Sequence, residues 1–141
     1  MRTLLDTSVI VPALVARHPH HAVAIDRLRS AGGLRIAAHS LAEAWAVLTR
    51  LPSRPRISGG MARKLLRENL TTRGKVVSLT VRDHEAALER ADGLGLAGGA
   101  VFDVLVVQAA LKAEVDRLVT FNGSDFRRVW PEAGGRLEVL A

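Results

Sequence analysis

Four carboxylates in this chain stand where a carboxylate is either costly or conspicuous. Asp6 interrupts the apolar string Leu4-Leu5-Asp6-Thr7-Ser8-Val9-Ile10, and Asp103 interrupts Ala100-Val101-Phe102-Asp103-Val104-Leu105-Val106-Val107. An acid in such surroundings is driven toward its neutral form unless cations or N–H donors hold it ionised. Glu43 follows Ala38-His39-Ser40-Leu41-Ala42, and Asp125 closes Asn122-Gly123-Ser124-Asp125. Three of the four also have a reading without chemistry. Asp6 before Thr7-Ser8 can cap a helix by accepting its first N–H groups. Ser40 and Glu43 have the S-x-x-E spacing of a capping box, and Asp125 has the N3 spacing of a cap on Asn122. Asp103 has no such role inside an apolar helix, so it must meet a cation, a metal or several donors. Three or four carboxylates in one crevice repel one another, and a divalent metal is the usual way to keep them ionised. Hard oxygen ligands suit Mg²⁺ or Mn²⁺ rather than zinc. Such a centre activates water and offsets charge on a phosphodiester, which is nuclease chemistry. Thr7, Ser8 and Thr120 offer hydroxyls, and Asn122 an amide oxygen, beside the same acids.

The acids are far apart in sequence, so the fold must gather them. The pattern predicts a strand at Thr3–Asp6, then Thr7 and Ser8 as the cap of a helix over Val9–Ala16. A second helix spans His20–Arg29 and ends at Gly32-Gly33, followed by a strand at Leu34–Ala37 and a helix over Leu41–Leu51. Pro52, Ser53 and Pro55 break that helix. A helix from about Gly60 to Leu70 leads through Gly74 to a strand at Val76–Leu79, and another helix covers Asp83–Ala91. Ala100–Glu114 is a nearly all-apolar helix built for burial, followed by a strand at Arg117–Phe121, a short helix near Ser124–Val129 and a last strand at Arg136–Leu140. Short apolar strands alternating with helices indicate an α/β sandwich around a mostly parallel sheet. Ligands gather outside the carboxyl ends of such strands, where the strand order switches. All four acids fall at a strand exit or a helix start.

The chain has 141 residues, which is one domain's worth of sequence, and its 48% hydrophobic content and mean hydropathy of +0.16 exclude a disordered polymer. Its longest charge-free apolar runs, such as Val9–Ala16 and Val104–Leu111, are far shorter than the roughly 20 residues that cross a bilayer. No long apolar stretch precedes a small-residue cleavage site, so a secretory signal is not expected. Without cysteine there is neither a disulfide framework nor a thiolate metal site, and a cytoplasmic location is the simplest expectation. Seventeen Arg and three Lys against fourteen acids give a net charge of +6, which favours polyanionic partners. The same Arg excess can also arise from GC-rich coding.

At this point the residues resemble a known family. Leu5-Asp6-Thr7-Ser8-Val9-Ile10, Ser40-Leu41-Ala42-Glu43, Phe102-Asp103 with its apolar helix, and Leu118-Val119-Thr120-Phe121-Asn122-Gly123-Ser124-Asp125-Phe126 are similar to the ordered motifs of the PIN-domain family. In size and order they most resemble the VapC toxins of toxin–antitoxin pairs. The resemblance covers essentially the whole chain as a single PIN-like domain, residues 1–141. It implies a three-layer α/β/α sandwich with a five-stranded sheet in the order 3-2-1-4-5, an acidic pocket that binds Mg²⁺ or Mn²⁺, and cleavage of RNA. By position, Asp6, Glu43 and Asp103 match the family's three principal acids. Many members carry a further acid where this chain has Asn122, which leaves Asp125 to supply the fourth carboxylate directly, through water, or only to hold the loop. The resemblance also implies a VapB-type antitoxin whose tail occupies a groove, a homodimer, and a hetero-oligomer with the antitoxin.

Other features carry weaker signals. Gly93-Leu94-Gly95-Leu96-Ala97-Gly98 fits G-x-G-x-x-G but follows a helix, so it reads as a lead into the Asp103 helix and not as a dinucleotide site. His18, His20 and His21 read as loop and cap residues, and Asp116 lies at the amino end of its strand. From Arg50 to Lys75 there are eight basic residues against the single acid Glu68, either a rim for RNA phosphates or solvated helix faces. Two other functional classes remain open: a catalytically silent domain binding RNA or a basic peptide, and a haloacid-dehalogenase-like phosphatase. The latter expects a second Asp where this chain has Ser8.

Overall fold

The structure, a computed structural model, describes residues 1–141. In chain order the elements are β1 (Thr3–Leu5), α1 (Thr7–Leu14), α2 (His21–Ser30), β2 (Leu34–Ala37), α3 (Ala38–Arg50), α4 (Gly59–Leu66, wound on as a π-turn through Arg67–Thr71), β3 (Lys75–Val77), α5 (Val81–Gly93), α6 (Ala100–Lys112), β4 (Arg117–Thr120), α7 (Gly123–Val129) and β5 (Leu137–Val139). All strands pair in parallel in the order β3-β2-β1-β4-β5. Parallel strands need crossovers, and the helices that provide them cover both faces of the sheet.

Adjacent residues of one strand therefore enter different cores. Leu5 and Val119 pack with α1, α2, α3 and α4, through Val9, Ile10, Leu28, Leu48 and Leu66. Leu4 and Leu118 pack with α5, α6 and α7, through Ala87, Val104, Val107 and Phe126. This is the period-2 alternation of a strand buried on both sides. At the edges the pattern weakens, and in β3 both Lys75 and Val76 are exposed.

Three helices begin two or three residues earlier than expected, each for a local reason. The first helix begins at Thr7, because Asp6 is its cap and accepts the Ser8 N–H. The third begins at Ala38, directly out of β2, so Ser40 lies inside the helix, buried, with its hydroxyl unpartnered. The Ser40–Glu43 capping box is thus not formed. Conversely, Thr80 and Asp83 do form one and start α5 at Val81. No helix is long and apolar enough to cross a membrane. Strand order reverses between β1 and β4, so the crevice expected of an open parallel sheet lies beyond Leu5 and Thr120.

Candidate active site

A cleft of about 640 Å³ opens at this point, lined among others by Asp6, Thr7, Ser8, Glu43, Asp103 and Asn122. Three of the four expected acids share it, from three different elements.

Asp6 is 5% exposed. Its Oδ2 accepts the Ser8 hydroxyl at 2.7 Å, the Thr120 hydroxyl at 2.9 Å and the Ser8 N–H at 3.4 Å. Each hydroxyl oxygen is itself fixed from behind. Phe121 N–H donates to Ser8 Oγ at 3.0 Å, and Asn122 N–H donates to Thr120 Oγ1 at 2.9 Å. Both hydroxyl protons are thereby aimed at one carboxylate oxygen, and Oδ1, in a residue that lines the cleft, is left without a protein partner. Ser8 and Thr120, expected near the acids as hydroxyl donors, hold Asp6 across the β1–β4 seam. The capping and site readings of Asp6 are both present in one side chain.

Glu43 stands on α3, with Oε2 accepting the Thr7 hydroxyl at 3.4 Å. His39, one turn earlier, places Nε2 3.6 Å from Glu43 Oε1 and makes no hydrogen bond with that nitrogen. Burial lowers the His39 pKa from its ordinary value, opposed by a bond to the Phe102 backbone and by the charge of Asp6. The His39 imidazole thus lies between the Glu43 carboxylate and the start of α6. Burial raises the Glu43 pKa, the charge of Asp6 adds to this, and the Thr7 hydroxyl opposes it.

Asp103 lies in the first turn of α6, where the helix dipole favours a negative charge. That is insufficient here. Burial, then the charges of Asp6, Asp125 and Glu43, push its carboxyl up to about 6, with Arg128 acting weakly in the other direction. Asp125 is exposed on α7 and touches the site through this field, whereas Asn122 lines the cleft itself. The expected side-chain cap at Asn122 is not formed. No three of the acidic side chains converge on a single point, so the protein side chains alone do not enclose a cation. Their donor set, carboxylate oxygen with an unpartnered Asp6 Oδ1, fits a hard cation such as Mg²⁺ or Mn²⁺.

The remaining sequence features sort themselves. Asp116 accepts the Arg2 N–H at the opposite end of the sheet, and the glycine-rich segment joins α5 to α6. His18 and His20, expected as loop and cap residues, line the acidic cleft, and His20 makes no side-chain capping bond. Their approach to Phe121 depends on β4 lying next to β1, which no local pattern encodes. His39 did have a local signal, the i,i+4 spacing that puts it on the same helix face as Glu43.

The family model of the PIN domain matches residues 3–130. Ribonuclease VapC27 of Mycobacterium tuberculosis is 36% identical over 108 residues, covering 75% of this chain and 74% of that protein. Ribonuclease VapC40 of the same organism is 31% identical over 134 residues, covering 95% and 94%. Among solved structures, M. tuberculosis VapC20, a toxin that cleaves the sarcin–ricin loop, superposes with a TM-score of 0.74 at 21% identity over 99% of both chains. VapBC2 from Rickettsia felis, bound to a DNA fragment from its promoter, gives 0.67 at 17% identity over 100% of both.

Proposed function

The chain belongs to the PIN-domain family, and from that premise we propose that it is an endoribonuclease acting as the toxin of a VapBC-type toxin–antitoxin pair. The observation that carries the reading is Asp103, held up to about 6 in a cleft it shares with Asp6 and Glu43. The reaction is hydrolysis of an RNA phosphodiester that depends on Mg²⁺ or Mn²⁺. Asp6 through Oδ1, together with Asp103, would hold the cation, with Glu43 and Asp125 completing the negative shell. Bound there, a hard dication supplies Lewis acidity and makes water acidic enough to attack at neutral pH.

The chain's own groups do the rest. Thr7 directs a hydroxyl at Glu43, and His39 flanks the other carboxylate oxygen. So placed, and with its pKa raised, Glu43 is suited to take a proton from the attacking water. Ser8 and Thr120 keep Asp6 from turning away, so its free oxygen needs no reorganisation. As water oxygen bonds to phosphorus and gives its proton to Glu43, the bond to the departing ribose oxygen breaks and that oxygen takes a proton from solvent water.

RNA must approach a negative cleft, and the eight basic residues from Arg50 to Lys75 are all exposed and form no ion pair. Arg17 donates to the Arg54 carbonyl at 3.5 Å, which ties the basic loop to the turn that carries His18. That link supports a reading in which part of the basic rim faces RNA entering the cleft. A VapB-type antitoxin is the protein partner, and an exposed apolar patch around Trp45 and Met61, beside a shallow groove lined by Leu41, Leu66 and Arg67, offers it a surface. Residues 1–141 act as one PIN-like domain, assemble as a homodimer and work in the cytoplasm.

The test is cleavage of RNA by antitoxin-free protein with Mn²⁺, with EDTA, and by Asp6→Asn and Asp103→Asn variants shown to be folded. Activity with Mn²⁺ that EDTA and either variant abolish supports the reading. Undiminished cleavage by either folded variant overturns it.

A further inference from the structure

The cleft has an aromatic wall opposite in chemistry to its acids. The His20 imidazole stacks on Phe121 with ring centroids 4.5 Å apart and planes at 27°, and His18 lies 5.6 Å from His20 at 35°. All three rings line the same cleft as Asp6, Glu43 and Asp103. The wall is joined to the acidic centre through the backbone, because Phe121 N–H donates to the Ser8 hydroxyl that holds Asp6. His18 is fixed by the His20 N–H, which donates to its Nδ1 at 3.0 Å. By contrast, the His20 side chain makes no hydrogen bond to the protein, caps nothing and is exposed. A solvent-facing ring stacked at the mouth of a nuclease cleft, with both nitrogens free, stabilises little in the fold.

We propose that this wall is a base-binding subsite: a nucleobase next to the scissile phosphate stacks on the His18–His20–Phe121 rings, and the wall sets nucleotide preference at the cut. The inference rests on the ribonuclease reading and deepens it. Single-stranded RNA is recognised by splaying bases onto aromatic side chains, and the face of every base is available for this. The carboxylates with their cation would engage the scissile phosphate, and the basic rim is suited to phosphates, which are the same for every sequence. The free nitrogens of His20 can meet the polar edges that distinguish one base from another.

The experiment uses the full chain and a pool of short single-stranded RNAs of random sequence, with cut positions mapped for the wild type, His20→Ala and His20→Phe. A second arm measures binding of the best-cut RNA in EDTA, which stops cleavage, with and without an abasic site beside the cut. The inference expects His20→Ala to weaken binding by roughly 5- to 100-fold, the range for removing one stacked base, and to flatten the base preference. His20→Phe should recover affinity but not preference, and the abasic RNA should bind wild type and His20→Ala alike. If the wild type cleaves and His20→Ala keeps both affinity and preference, the subsite is overturned while the nuclease reading stands. If the wild type neither binds nor cuts any RNA, both fall.

Discussion

Asp83 and Asp103 occupy the first turns of consecutive helices, α5 and α6, and their surroundings push them in opposite directions. Asp83 Oδ2 accepts Lys112 Nζ at 2.7 Å, the Thr80 N–H at 2.8 Å and the Thr80 hydroxyl at 3.0 Å, and these partners hold its carboxyl down to about 2. Asp103 has burial and three other acids around it and is pushed up to about 6. Residue type is the same, and the two positions differ by one within a first turn. What differs is whether the compensating charge is folded into the chain or must come from solution. An acid with its own lysine belongs to the scaffold; an acid among acids marks a site.

The largest expected effect tests that division directly. Asp103→Asn should lower the rate of RNA cleavage by at least about 100-fold, beyond the usual loss from disturbing groups behind a metal ligand. Asp83→Asn should leave the rate within a factor of about two. Equal losses in both variants would erase the comparison. One step smaller is the effect of removing a hydroxyl behind Asp6. Thr120→Val or Ser8→Ala keeps every carboxylate but frees Asp6 to rotate, so a Mn²⁺ titration of cleavage should shift to roughly tenfold higher concentration. No shift would mean that the hydroxyls only fill space.

Stability gives the same contrast with opposite signs. The Asp103 pKa rises from 3.8 to about 6 on folding, so the favourable contribution of its protonated form is complete below about pH 4 and is lost as pH rises through about 6. The full shift corresponds to roughly 3 kcal/mol, and solvent screening of this part-exposed group reduces it to about 1 kcal/mol. Asp103→Asn should therefore melt about 3 °C higher than wild type at pH 7 in EDTA, and the difference should vanish near pH 4. Mg²⁺ should raise the wild-type Tm more than that of the variant. Asp83 has its pKa depressed, so its contribution is present above about pH 4 and is lost as pH falls toward 2. Asp83→Asn should melt lower than wild type at pH 7. At limiting metal, cleavage should fall as pH drops through about 6, because protonation of Asp103 competes with the cation and Glu43, also raised, loses its capacity to accept a proton. Calorimetry and initial rates across pH 4–8 check both sets of signs.

The amino-acid sequence revealed the scaffold and the acids unevenly. Asp103 stands out because a carboxylate inside an apolar helix has no capping role to explain it; Asp6 was equally legible as a helix cap, which it also is, and the alternation of strand and helix already implied a rim where the two meet. Glu43 was visible, but its apparent partner was wrong. The box with Ser40 requires a loop before the helix, and β2 runs into α3 without one, which turns Ser40 inward. Thr80–Asp83 is a true box, with Asp in place of the usual Glu or Gln. Asn122 and Asp125 divided in a way that spacing does not encode, one lining the cleft and the other acting on Asp103 from outside. The aromatic wall was invisible because two of its rings are separated from Phe121 by some hundred residues and meet it only through the β1–β4 pairing.

The smallest expected effect concerns the basic rim, where the comparison between built-in and borrowed charge runs in reverse. Lys112 has its partner in Asp83, but Arg54 and Arg56 have none and stand exposed on a loop that Arg17 reaches through the Arg54 carbonyl. Cations without a partner in the chain should find one in RNA phosphate. Converting Arg54 and Arg56 to Glu should weaken RNA binding a few-fold at low salt and reduce the slope of log affinity against log salt by about two, one for each phosphate no longer neutralised. Chemistry at the acids should continue, so the loss should appear in KM and leave kcat near its original value. If affinity and slope are both unchanged, these arginines are solvated side chains of a basic chain, and the approach of RNA is guided from another part of the surface.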